Sequence, residues 1–348
     1  MYNSRSVNWP LLAGLRFFLA WIVMTAHVDF YAPGGIAAAF YMFGAKASVA
    51  AFLLISGFSI AASIESRPQG FILRRLLRIY PLYFASLLLT LFVQSFIVST
   101  MDNPIFPADS WGKIIGNMFM TQMFFVKALV YNGPFWSLSI EFFFYVLAPI
   151  FCFMKKRYLY ILIAISGIVY ILPNKPEASI FYIMLLKFNA LKYLWIWLLG
   201  FCLYKREPKL DFIGGILCIT LLVLSSNFTH KLNIVTLGGT YLILLFSHYI
   251  KIGDSAKNIL NYLGDLSYPL YLMHFPLILL VVYGLNIKSE FILYSVIFLT
   301  TSLSIIIFDV YVKNKLFKPL FTRILSSSIW TKKLFSYLPR RIAVSYRI

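Results

Sequence analysis

The sequence predicts an all-α, polytopic membrane protein of about ten transmembrane helices plus one re-entrant or interfacial helix. Three observations carry that reading. Of 348 residues, 61% are hydrophobic and only 12% are charged, about half of the roughly 25% typical of a soluble globular chain. The mean hydropathy is +0.82, and the charges sit in short clusters between apolar runs. Those runs are long enough to cross about 30 Å of hydrocarbon at about 1.5 Å per residue. On such a chain a net charge of +19 reports membrane topology, and nucleic acid is discounted as a partner.

The first run, 9–31, follows the polar opening MYNSRSVNWP. It is too long for a signal-peptide core, contains Arg16 and ends without a small-residue cleavage pattern, so it reads as a retained span. Further runs lie at 47–64, 77–99, 134–154, 158–173, 188–204, 212–228, 234–250, 264–283 and 290–312. Segment 114–131 is interrupted by Asn117, Gln122 and Lys127, and charge decides its placement. If it crossed the bilayer, Lys155, Lys156 and Arg157 would face outside. If it is re-entrant or interfacial, they share one side with Arg67, Arg74, Arg75, Arg78, Lys205, Arg206 and the basic C-terminal segment. The positive-inside rule favours the second arrangement: ten spans in a cell inner or plasma membrane, with both termini cytoplasmic.

Residues 1–312 thus form one transmembrane domain. Residues 313–348 carry nine basic and no acidic residues, as expected of a cytoplasmic tail lying on an anionic leaflet. The three cysteines, Cys152, Cys202 and Cys218, lie in or beside apolar runs with no CxxC spacing, so neither a disulfide framework nor a zinc site is expected.

Ionisable groups at lipid depth cost at least about 2.5 kcal/mol each, which makes those in mid-span functional candidates. The first span holds Arg16 and His27. Eleven helical steps of about 100° bring both onto one face, about 16 Å apart along the axis. A neutral imidazole can act as a general base near neutral pH, which an alcohol nucleophile requires, so His27 is the best base in the chain. In FILRRLLRIYPLY, Arg74, Arg75 and Arg78 are spaced to share a helical face at the entrance to the third span. They serve either as a topology anchor or as a phosphate-binding cluster, since guanidinium forks match phosphate oxygens. Glu141 in GPFWSLSIEFFFYVLAP needs a cationic or hydrogen-bonding partner at its depth; Arg16 and His27 are the candidates. His274 lies between Pro269 and Pro276, whose rings break the helical ladder and free carbonyls that a polar side chain can satisfy.

Five stretches taken together resemble the acyltransferase family 3 membrane proteins, which acylate surface polysaccharides. They are Arg16 followed by His27, LLISGFSI at 53–60, RRLLRIYPLY at 74–83, FWSLSIEFFFYVLAP at 135–149 and LGDLSYPLYLMHFPL at 263–277. The chain departs from the family pattern at Ala50 and Phe142, where an acidic and a polar residue are frequent. The resemblance implies a ten-helix core and transfer of an acyl group, usually acetyl, from cytoplasmic acyl-CoA. The acceptor is a hydroxyl of a surface or exopolysaccharide sugar or its lipid-linked precursor. No cofactor is permanently bound; acetyl-CoA or another acyl-CoA is the donor substrate.

On that basis His27, Glu141 and Arg16 form the catalytic set, and Arg75, Arg78 and Arg74 bind the donor. Glu141 is expected to orient His27, which deprotonates the acceptor, while Arg16 positions the thioester or stabilises developing charge. The alternative is a multispanning transporter or flippase of a glycan precursor, since a polar stripe through ten spans also suits a translocation path.

Overall fold

Asn8 and Pro10 start the first helix, α1 (Trp9–Tyr31), for local reasons. The Asn8 side chain accepts from the Leu11 N–H at 3.1 Å, and proline near the helix start sacrifices no internal hydrogen bond. In the computed structural model, which describes residues 7–101, 104, 106–172, 189–204, 211, 213–217, 220, 232–307, 315 and 319, α1 is followed by a short α2 (Gly35–Tyr41), α3 (Ala45–Ser66) and α4 (Phe71–Thr100). Then come α5 (Trp111–Met118), a 3₁₀ segment (Val130–Phe135) and α6 (Trp136–Phe153). The series ends with α7 (Lys156–Ile171), α8 (Asn189–Tyr204), α9 (Asn233–Phe246), α10 (Asp254–Leu279) and α11 (Glu290–Ser304). Among the described residues there is no strand, only an isolated bridge between Gln122 and Val126.

Six helices among the described residues are long and apolar enough to cross a membrane. Expected segments 158–173, 188–204 and 234–250 are helices of 16, 16 and 14 residues, shorter than the roughly 20 that a full crossing takes. Most of 212–228, and nearly all of the tail from 313, lie outside the described residues, so the expected count of ten is not established. Segment 114–131 is not a continuous helix. The eight residues of α5 rise only about 12 Å, and Met120, at φ 55°, ends them in the left-handed region. The Thr121 N–H then closes on the Gly116 carbonyl at 2.9 Å, the reversal that terminates many helices.

Helix α10 packs along α1, and α3 along α8; these are the most extensive pairings. Lipid tails are as apolar as leucine, so close van der Waals approach has to drive such pairing. Gly57, in LLISGFSI, shows how this happens. A Cβ there would meet the Trp197 carbonyl oxygen at 1.9 Å, and one on Gly200 would meet that of Leu54 at 1.9 Å. The α3 and α8 backbones touch only because both positions lack a side chain.

Prolines tie the other helices together. Pro276 cannot donate to the carbonyl four residues back, Leu272. Ser86 of α4 donates to that oxygen at 2.8 Å, and Asn132 of the 3₁₀ segment donates to it at 3.0 Å. Asn132 also donates to Thr90 at 3.0 Å. One missing hydrogen bond in α10 thus pins α4 and the entry to α6. The freed carbonyl is taken by these groups, not by His274 as its place between two prolines suggested.

Candidate active site

Helices α1, α3, α4, α6 and α10 enclose a cavity of about 690 Å³, whose wall contains Arg16, Arg74, Arg75, Arg78 and Glu141. Five of the six site residues expected from sequence therefore meet at one place. Helix α4 begins at Phe71, so the arginines occupy its first turns, on the helical face that their spacing predicted. Arg75 lies over the Phe71 ring, 5.7 Å from its centroid, where the cation meets the electron-rich face. Arg74 is spent differently: its guanidinium donates to the backbone carbonyls of Gln69 and Arg67. It clamps the turn between α3 and α4.

Arg16 brings its charge to the same space from α1, with its buried Nε lacking any hydrogen-bond partner. Glu141, on α6, accepts a hydrogen bond on Oε1 from Tyr145, one turn further along the same helix. Ser56 donates to the Tyr145 hydroxyl at 3.3 Å, and the indole of Trp197 donates to Ser56 at 3.4 Å. Each donor in this series passes its hydrogen toward the carboxylate, which fixes Glu141 from behind. Among the described residues no ion pair joins Glu141 to an arginine. Sequence reasoning missed Tyr145, although its place four residues after an intramembrane glutamate puts it on the same face.

With four guanidinium groups against the carboxylates of Glu141 and Asp265, the cavity carries an excess of positive charge. In an apolar bundle such an excess is costly unless an anionic ligand enters.

His27 lies outside the cavity wall. Its ring sits on α10 beside His274 with centroids 5.1 Å apart, and packs edge-on against Phe275. His274 Nε2 is 3.2 Å from His27 Nδ1, and each Nδ1 lies near the carbonyl one turn back in its own helix, Val23 at 2.8 Å and Leu270 at 3.0 Å. The expected contact between His27 and Glu141 is absent. Eleven residues of α1 separate the level of Arg16 from that of His27, and Glu141 belongs to the Arg16 level. The link from the cavity to the histidines is Tyr271, which lines the wall, has its ring centroid 6.1 Å from that of His274, and shares a 2.7 Å hydrogen bond with Ser137.

Comparisons with known proteins agree with these motifs. Over 164 residues the chain is 31% identical to the acyltransferase MdmB of Streptomyces mycarofaciens, a match covering 44% of this chain and 41% of that protein. The match thus spans less than half the length of that curated relative. No solved structure matches the chain. The acyltransferase domain signature matches residues 10–309, which take in every helix described above except the first residue of α1, and the chain accordingly belongs to acyltransferase family 3.

Proposed function

We propose that this protein is a membrane-bound O-acyltransferase, in its simplest form an O-acetyltransferase. It moves an acyl group from cytoplasmic acyl-CoA to a hydroxyl of a surface or exopolysaccharide sugar, or of the lipid-linked precursor of that sugar. The observation that carries this reading is the cationic cavity inside an apolar helical bundle, with Arg16, Arg75 and Arg78 around the carboxylate of Glu141. Guanidinium groups suit the phosphates of a nucleotide-bearing thioester, because each offers two parallel N–H donors to two oxygens.

In this reading Arg75 and Arg78 hold the phosphates, and Arg16, eleven residues from His27 along α1, holds the arm of the donor within the cavity. The acyl end passes Tyr271 and Ser137 on its way to the histidines. The acceptor hydroxyl attacks the thioester carbon: its proton goes to His27, the new C–O bond forms, the C–S bond breaks, and the thiolate recovers the proton from the imidazolium. Glu141, held by Tyr145, offsets part of the guanidinium excess. Family membership supports an acyl donor and an acceptor; the guanidinium cluster supports the coenzyme A portion of the donor, and the sugar acceptor is what the resemblance of the motifs implies. Both termini face the cytoplasm in this scheme, in a plasma or inner membrane, with the basic segment 313–348 against the anionic leaflet.

The test uses the full chain purified in lipid nanodiscs. With acetyl-CoA and an acceptor glycan it should release free thiol, and His27→Ala should lower that release by about 10²–10⁴-fold while acyl-CoA still binds. Transfer that persists in His27→Ala overturns the assignment of the base. Uptake of a glycan precursor into vesicles without any thiol release points instead to the transporter reading.

A further inference from the structure

We infer that His274 is a positioning residue for His27, the two imidazoles forming one hydrogen-bonded unit in which His274 accepts from His27. This rests on the reading of His27 as the base and goes beyond it, because it assigns which ring nitrogen does the chemistry and what holds it there.

Two backbone carbonyls fix the tautomer of each ring. A carbonyl oxygen only accepts, so the 2.8 Å contact from Val23 to His27 Nδ1 and the 3.0 Å contact from Leu270 to His274 Nδ1 require an N–H at each Nδ1. A neutral imidazole carries one N–H, so the Nε2 of each ring holds a lone pair. His274 Nε2 faces His27 Nδ1 at 3.2 Å, and the only consistent assignment is that the His27 Nδ1–H is shared between the Val23 carbonyl and His274 Nε2. The reverse assignment, with His274 donating from Nε2, would oppose a lone pair to a carbonyl oxygen in both rings.

Two consequences follow for His27. Its Nε2 lone pair is left free for the acceptor hydroxyl. When that nitrogen takes the proton, the charge is shared with a bond into His274, and a hydrogen bond from an ionised donor is stronger than the neutral one it replaces. His274 is itself fully buried, so no water competes for its Nε2. The ring is further confined by Tyr271 and Phe275. The backbone of α10 is held near it by Ser86 and Asn132 on the Leu272 carbonyl. An aligned partner on the second ring nitrogen is a general means of fixing the tautomer and orientation of a working histidine.

The experiment compares His274→Leu, which fills the space without an acceptor, with His274→Gln, whose side-chain carbonyl can accept where Nε2 did. His274→Leu should lower kcat about 10- to 100-fold with the KM for acyl-CoA unchanged, and His274→Gln should recover most of the loss. Equal activity in the two variants, or a change confined to the KM for acyl-CoA, overturns the proposal. Should His274→Leu fail to fold, the wild-type protein decides the matter. It contains four histidines, so ¹⁵N-histidine labelling with NMR resolves the tautomer of each ring. Protonated Nδ1 at both His27 and His274 is the expected pattern, and an Nε2–H at His274 overturns it. Failure of the parent reading looks different: His27→Ala retains transfer while the wild-type tautomers keep the expected pattern.

Discussion

Two polar clusters are buried in this bundle, and they differ in where their N–H groups point. Around the approach to α6, Asn117 donates to the carbonyls of Lys113 and Lys127, Gln122 to Tyr83 and the Phe135 carbonyl, and Asn132 to Thr90 and the Leu272 carbonyl. Every one of those amide hydrogens is spent inside the protein, while the three side-chain oxygens of these amides have no partner among the described residues. Around the cavity, Arg16 keeps an Nε without a partner, and Arg75 and Arg78 face open space. A buried N–H bonded within the chain ties one helix to another, whereas one left unpaired beside a cavity is costly until a ligand arrives. The first cluster therefore reads as architecture and the second as a binding site, although both stand out from the apolar background of the sequence in the same way.

The largest effect should separate the two clusters by what they bind. Replacing Arg75 and Arg78 together with Ala removes charge-assisted hydrogen bonds worth about 1.5–3 kcal/mol each. The KM for acyl-CoA should rise by at least about 100-fold, while thermal unfolding in detergent stays where it was. Unchanged binding of radiolabelled acyl-CoA removes these two residues from the site. Substitution in the architectural cluster should do the opposite. Asn132→Leu strips the Leu272 carbonyl of one of its two donors, which lowers stability by about 1–3 kcal/mol with the KM for acyl-CoA unmoved. A selective loss of acyl-CoA affinity in Asn132→Leu, with stability intact, would erase the distinction.

How much of this was legible beforehand follows the same division. Hydropathy located the apolar helices, because a run of nonpolar residues needs no knowledge of its neighbours; α1 begins and ends where the run 9–31 does. Mid-span charge singled out Arg16 and Glu141, since an ionised group at that depth is improbable without a purpose, and spacing on one helical face singled out Arg75 and Arg78. Pairwise contacts were less accessible. Nothing in the spacing of His27 and His274, 247 positions apart, says that they touch, and Glu141 was assigned to His27 when its partner is Tyr145 on its own helix. Pro276 does free a carbonyl, as its ring requires, but Ser86 and Asn132 reach it from other elements of the fold, which spacing along one helix does not reveal. The interruption of 114–131 was visible as Asn117, Gln122 and Lys127. Its cause, a left-handed Met120, was not, because glycine usually fills that position.

The smallest effect offers the sharpest test of the comparison, because Arg74 belongs to the binding cluster by sequence and to the architectural group by its bonds. It lines the cavity with Arg75 and Arg78, yet its guanidinium is engaged by the carbonyls of Gln69 and Arg67. These sit at the turn where α4 begins, and Gly70, at φ 64°, takes a left-handed backbone there. If the direction of the N–H groups decides the role, Arg74→Ala should loosen that turn, costing about 0.5–1.5 kcal/mol of stability. It should then leave the KM for acyl-CoA nearly unchanged, even though a cation has been taken from the cavity wall. Arg75→Ala alone should instead raise that KM by about 10-fold or more. Equal losses of acyl-CoA affinity in the two single variants would mean that Arg74 leaves its carbonyls when the donor arrives, and that the number of guanidinium groups, not their bonding, governs binding.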